Sequence, residues 1–223
     1  MTKHFQSEIE RLKKRILLLA AMVEENLQKA VRAVAERDTK LAGQVIDGDP
    51  EIDMQEVEVE EDCLKILALH QPVAADLRYV VAVLKINNDL ERIADLAVNI
   101  AERSIANASR PAIAAPFDVS SMVAAAVKLV RDSVDSLVKE NAALAHQVIL
   151  DDDIIDDFHR TAYRTVQDRI KSNPDQAELL ISFLSVSRNL ERIADHATNI
   201  AEDVIYMIEG EIVRHGMGRD SKK

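Results

Sequence analysis

The chain has 223 residues, of which only 5 are Gly and 5 are Pro; aromatics make up 3% and Trp is absent. A sheet protein of this length needs many turns built from Gly and Pro, and more aromatic and β-branched residues, so the composition excludes one and points to an all-α protein. The net charge of −11, from 39 acids against 28 bases, argues against nucleic acid as a partner and favours cations or basic protein surfaces.

The first stretch, residues 1–42, contains neither Gly nor Pro. Phe5, Ile9, Leu12, Ile16, Leu19 and Val23 alternate at spacings of four and three, then Leu27, Ala30 and Val34 continue after an extra four-residue step. That is the seam of a long packed helix, with one stutter. Its apolar run Ile16–Val23 is far short of the roughly 18–20 residues that span a membrane. Glu8 and Glu10 interrupt the basic segment before it, which argues against a signal peptide.

Asp38 or Thr39 reads as the N-cap of a second helix reaching about Leu69, with Gly48 and Pro50 inside it. Pro50 cannot donate to Ile46, so a kink is expected there, or loss of the first turns. Gln71-Pro72 ends this helix, and a third runs to about Asn107. Pro111 and Pro116 mark 109–117 as a linker. Val123, Val127, Val130, Val134 and Leu137 give a fourth helix. A turn at Asn141 leads to a fifth over Ala142–Ser172, and Asn173-Pro174 opens a sixth that ends at Gly210. Residues 216–223 are expected to be a frayed tail.

Residues 89–102 and 189–202 are identical at eleven of fourteen positions, DLERIADLAVNIAE against NLERIADHATNIAE. Each copy lies on the last helix of a set of three. The predicted architecture is therefore two tandem, pseudo-symmetric three-helix bundles, 1–108 and 118–215, joined by the linker. Within the repeat, Glu91, Asp95, Asn99 and Glu102 fall within about 80° on the helical wheel, opposite the apolar residues. A solvated face is the ordinary meaning of such a stripe.

A second pattern counts against that ordinary meaning. In an antiparallel hairpin, residues equidistant from the turn lie at equal height. Around a mirror point at Pro72, Asp53 pairs with Glu91 and Asp49 with Asp95. Around Asn173-Pro174, Asp156 pairs with Glu191 and Asp152 with Asp195. Each hairpin thus brings four carboxylates to one level, an arrangement that is unfavourable unless protons or a cation offset it. Oxygen-only ligation suits hard cations: Mg²⁺, Ca²⁺, Mn²⁺ or ferric iron.

The paired LERIAD…NIAE segments resemble the signature of the PhoU family, regulators of bacterial phosphate uptake. Ile52-Asp53, Gln71-Pro72-Val73-Ala74-Ala75-Asp76-Leu77-Arg78 and the closing Tyr206…Glu209-Gly210…Arg214-His215 are similar to it as well. The resemblance covers nearly the whole chain. It implies a cytoplasmic, often homodimeric negative regulator of the phosphate-starvation response, without enzymatic activity. Such a regulator acts between the phosphate ABC transporter and a sensor histidine kinase, and meets the membrane only through those partners. It also implies multinuclear metal clusters, of iron, magnesium, manganese or zinc ions, on Asp49, Asp53, Glu91 and Asp95, and on Asp152, Asp156, Glu191 and Asp195. Asn99 and Asn199 stand one turn further on as extra ligands. Gly48 and Pro50 beside Asp49 depart from the helical pattern.

Other features have simpler expectations. Arg92 and Arg192 are expected to pair with neighbouring carboxylates, His159 to be a surface histidine, and His196 a polar edge position. Arg11, Lys13, Lys14 and Arg15 read as a solvated helix face. Cys63, the single cysteine, reads as a buried inert thiol, which suits a reducing compartment. No Gly-rich phosphate loop, G-x-S-x-G, H-E-x-x-H or zinc cysteine pair is present. Two other readings stay open on the residues alone. One is a ferritin-like carboxylate metalloenzyme, although Glu-x-x-His is missing. The other is a helical scaffold whose acidic stripes are only solvated.

Overall fold

The computed structural model describes residues 3–213. The expected tail at 216–223, and the Arg214 and His215 of the family resemblance, lie outside the described residues. Six long helices follow one another: α1 (Lys3–Glu36), α2 (Thr39–His70), α3 (Ala74–Ala108), α4 (Val119–Val138), α5 (Ala142–Ser172) and α6 (Ala177–Glu209). A single 3₁₀ turn, Pro174–Gln176, precedes α6. No strand occurs among the described residues.

The helix ends are set by local chemistry. The Asp38 carboxylate accepts from the amides of Lys40 and Leu41 at 2.9 and 3.0 Å, and Asn141 accepts from the Leu144 amide at 3.1 Å. Each cap satisfies amides that the first helical turn leaves without partners. Gly210 closes α6 at φ 75, a left-handed conformation that glycine adopts without strain.

Helix α2 runs unbroken through Pro50, so its first turns are not split off. Pro50 is exposed, which puts the Ile46 carbonyl that it leaves without an amide partner on the solvent side of the helix.

The α1 seam is buried as its spacing requires: Leu12, Leu19, Val23, Leu27 and Ala30 are all fully inaccessible. Each such Leu stabilises the fold by roughly 1.5–3 kcal/mol relative to exposure. The two triplets are not independent layers. Helix α3 packs on α1 and α2 and also on α6; α6 packs on α4 and α5; α1 also meets α4. One continuous core draws residues from all six helices. The repeated segment supplies small residues along the central pair, and Ala94, Ala97, Ala101, Ala194, Ala197 and Ala201 are all buried. Polar contacts cross the same interface. Lys85 donates to the buried Asp203 at 2.9 Å, and Asp89 receives bonds from His196 and Asn199 at 2.8 and 3.2 Å.

The segment between the triplets is held by two arginines. Arg37 donates to the carbonyls of Asn107, Ala108 and Arg110 at the end of α3, and Arg169 donates to those of Ala114 and Ala115. The basic cluster on α1 keeps contact with solvent, and three of its four members also form ion pairs. Arg11 binds Asp62 at 2.7 Å, Arg15 binds Glu58 and Asp62, and Lys13 reaches Glu140. The basic side chains lie at the surface: Arg11 and Arg15 meet acids of α2, Lys13 meets Glu140 between α4 and α5, and Lys14 is exposed. Cys63 is fully buried, and burial pushes its thiol up to about 12. No helix among the described residues is long and apolar enough to cross a membrane.

Candidate functional site

The short connection at 71–73 folds α3 back along α2, with Gln71 in the left-handed region at φ 45. The equal-height rule then operates as the spacing requires. Asp49 lies close enough to Asp53 and Asp95 to feel both charges, and its carboxyl is raised above its ordinary value, first by burial and then by those neighbours. Glu91 is raised by burial, Asp95, Asp53 and Glu56, with Arg92 opposing.

The second hairpin, α5–α6, repeats the arrangement. Asp152 is pushed up to about 7 by burial and by Asp195, Asp156, Asp153 and Glu191. Burial and Asp195 raise Glu191. Asp195 is raised by burial and Asp156, against the pull of His196 and Arg192. In both clefts, like charge therefore faces like charge across the hairpin.

Among the described residues, no three of these acids bring oxygens within 4.8 Å of one another. The quartets are shared acidic clefts, wider than a single-ion cage, as mutual repulsion dictates. Their donor set nonetheless fits hard cations. It consists of carboxylate oxygens alone, and the buried Asp49 Oδ1 has no hydrogen-bond partner. A buried unpartnered carboxylate oxygen is unfavourable until something positive meets it.

The structure adds a layer that the sequence reading did not single out. One turn below the first quartet, the Asn87 amide donates to the Glu56 backbone oxygen at 3.0 Å and to its carboxylate at 2.9 Å. At the equivalent place in the second hairpin, His159 and Ser187 form a 2.8 Å hydrogen bond. Both pairs fall one residue off the mirror rule around each turn, which matches Val57 with Asn87 and Arg160 with Ser187. His159 is half-buried and sits close enough to lower the Glu191 carboxyl, so it is not the unrelated surface residue expected. The clefts differ accordingly: the first holds a fifth carboxylate where the second holds an imidazole.

The two asparagines separate from the quartets. Asn99 is exposed, with no hydrogen bond to the acids. Asn199 instead donates to Asp89 on the other triplet, and His196 joins it there. That arrangement corrects the reading of His196 as an edge position. Arg92 lies 3.3 Å from Glu91 and 3.0 Å from Asp95, as expected of a pairing arginine. Arg192 acts on Asp195 only through space.

Comparison with known proteins identifies the family of the chain. The family model for the PhoU domain matches twice, over residues 16–104 and 119–204. The phosphate-specific transport system accessory protein PhoU homolog of Aquifex aeolicus is 38% identical over 208 residues, covering 93% of this chain and 94% of that protein. The corresponding PhoU protein of Escherichia coli is 28% identical, covering 98% and 91%. The crystal structure of PhoU from Pseudomonas aeruginosa superimposes with a TM-score of 0.90 at 33% identity, covering 93% of this chain and 100% of that one. The phosphate transport system regulatory protein PhoU from Streptococcus pneumoniae gives 0.83 at 27% identity, covering 94% and 99%.

Proposed function

The chain belongs to the PhoU family, and on that footing we propose that it is a regulatory accessory protein of a phosphate-specific transport system. In this reading it is a non-enzymatic adaptor of the cytoplasm, active as a homodimer. It stands between the phosphate ABC transporter and a sensor histidine kinase, and represses the phosphate-starvation response when phosphate is plentiful. Relatives of 28–38% identity are named as accessory proteins of that system.

The observation that carries a metal-responsive form of this role is the pair of acidic clefts, duplicated by the repeat and only partly offset by Arg92 in the first and by His159, His196 and Arg192 in the second. Asp49, Asp53, Glu91 and Asp95 would hold cations in the first, and Asp152, Asp156, Glu191 and Asp195 in the second. Bound cations would supply the rest of the positive charge that these carboxylates call for. The residues themselves set the response. Burial and mutual repulsion hold Asp152 protonated up to about pH 7, so proton and cation compete for the same oxygens. Because each cleft lies between two helices of one hairpin, its charge state bears directly on how tightly α2 packs on α3 and α5 on α6.

A ferritin-like enzyme is a poorer match. Its ligands project into a four-helix core and include Glu-x-x-His pairs, whereas these acids lie opposite the apolar stripe of the repeat.

The test is a deletion strain carrying a phosphate-starvation reporter, complemented with the wild-type chain or with Glu91, Asp95, Glu191 and Asp195 all changed to Ala. Metal content is measured on protein purified without chelator. Repression in high phosphate is expected to need the wild-type chain and to be weakened by the acid-free variant. Full repression in the deletion strain would sink the regulatory reading. Equal repression by both proteins, with no metal bound, would leave the scaffold reading in place.

A further inference from the structure

Away from both clefts, the start of α1 meets the end of α2. His4, Glu8 and His70 each offer a ligand atom, and these atoms lie within 4.8 Å of one another. His70 Nε2 is 2.6 Å from Glu8 Oε2, and His4 Nε2 is 3.5 Å from Glu8 Oε1. Glu8 is only 5% exposed, and the His70 ring is packed against Phe5 at 5.1 Å between centroids. The carboxylate and one imidazole are thus held in place by the fold, while His4 stands at the solvent edge.

We propose that His4, Glu8 and His70 form a binding site for a borderline-soft divalent transition metal, Zn²⁺ being the natural occupant. Two imidazoles and one carboxylate, with a fourth position open to water, are the donor set that such ions take, and that Mg²⁺ and Ca²⁺ do not. Bonds near 2.0–2.1 Å place tetrahedral donors roughly 3.3–3.5 Å apart. The 3.5 Å from His4 Nε2 to Glu8 Oε1 has that value, while His70 meets the other oxygen, Oε2, so the carboxylate turns to present one oxygen to both imidazoles when the ion enters. The 2.6 Å contact between His70 and Glu8 has to open by roughly 0.8 Å to reach it, with the ion taking the place of the shared proton.

Lys65 is the competitor. Its ammonium lies 3.5 Å from Glu8 Oε1, and its side chain is about half exposed, so it can swing into water when the ion enters. The spacing places His4 and Glu8 one helical turn apart on α1, while His70 is the last residue of α2. An occupied site therefore ties the beginning of the chain to the hairpin turn that levels the first acidic cleft.

The probe is Co²⁺, whose ligand-field bands report imidazole ligation. It is titrated into tag-free, full-length protein in excess Mg²⁺, which occupies oxygen-only sites. We expect one Co²⁺ per chain with intensified visible bands. Affinity should fall about tenfold or more in His4→Ala and in His70→Gln, and rise in Lys65→Met. Because His4 is exposed, His4→Ala leaves folding intact, and circular dichroism on the same samples checks it. Added Zn²⁺ should raise the unfolding midpoint of the wild type and not that of His4→Ala. Binding and bands unchanged in His4→Ala, or no Co²⁺ bands in the wild type, would overturn the site.

Discussion

Replacing Asp152 by Asn should make the metal-free protein more stable at pH 8, by less at pH 5, and not at all below about pH 4. Asp152 lies between α5 and α6, and its carboxyl is raised from 3.8 to about 7 by burial first and by Asp195, Asp156, Asp153 and Glu191 next. A folded-state value above the unfolded one means that the native protein binds the proton more tightly. Below pH 3.8 both states are protonated and Asp152 contributes nothing. Between about 4 and 7 stability falls as pH rises, and above 7 the full penalty of the buried charge is present. The full displacement corresponds to ~4 kcal/mol at 1.36 kcal/mol per tenfold change in proton affinity. Asp152 keeps partial contact with water and the repulsion is shared among its neighbours, so we expect ~1–2 kcal/mol. In a chain of this size that is a rise of about 3–6 °C in unfolding midpoint. The assay is thermal unfolding in chelator from pH 5 to pH 8, comparing wild type with Asp152→Asn. An equal or lower midpoint for the variant at pH 8, or a gain independent of pH, would refute the reasoning.

Other expectations follow from the same geometry. Adding Mg²⁺ or Mn²⁺ at pH 8 should stabilise the wild type more than Asp152→Asn, and at pH 5 the stabilisation of the wild type should shrink, because protons then occupy the oxygens; differential scanning calorimetry reads both. Cys63, buried and with its thiol raised to about 12, should resist a thiol reagent at pH 8 in the native state and react fully in denaturant. His196→Ala strips one of the two bonds to the buried Asp89 and should destabilise by about 1–3 kcal/mol in urea titration. Most of that should return when Asp89→Asn is combined with His196→Leu, the residues at the equivalent positions of the other repeat. Ile193→Ala, which empties a fully buried site on the central helix, should destabilise by about 2–5 kcal/mol.

How much of this was legible beforehand varies by residue. The α1 seam, the Asp38 cap, the Asn141 turn and the stop at Gly210 follow from spacing and backbone chemistry, which are local. The two acidic quartets were legible as well. A hairpin with a short turn ties sequence distance to height, so an index rule about Pro72 and Asn173-Pro174 reaches across two helices. Extended one turn, the same rule matches Val57 with Asn87 and Arg160 with Ser187, one residue away from the observed Glu56–Asn87 and His159–Ser187 pairs. Packed helices cross at an angle, and height alone does not fix which side chain faces the partner. Pro50 misled in part. Whether a proline breaks a helix depends on which side its orphaned carbonyl faces, and that is decided by packing.

Composition, periodicity and the internal repeat by themselves determined an all-α chain of two related triplets with acids paired at matched heights. They could do so because helix formation, capping and hairpin register are set by neighbours in the sequence. Only the tertiary structure decided that α3 and α6 fuse the triplets into one core and that Asn199 and His196 serve Asp89 across that seam. It also decided that Arg11 and Arg15 of α1 pair with acids of α2, and that His4 and His70 converge on Glu8. Those outcomes depend on how far each helix is rotated about its own axis against helices distant in the chain, and that rotation is fixed by side-chain packing across the whole core.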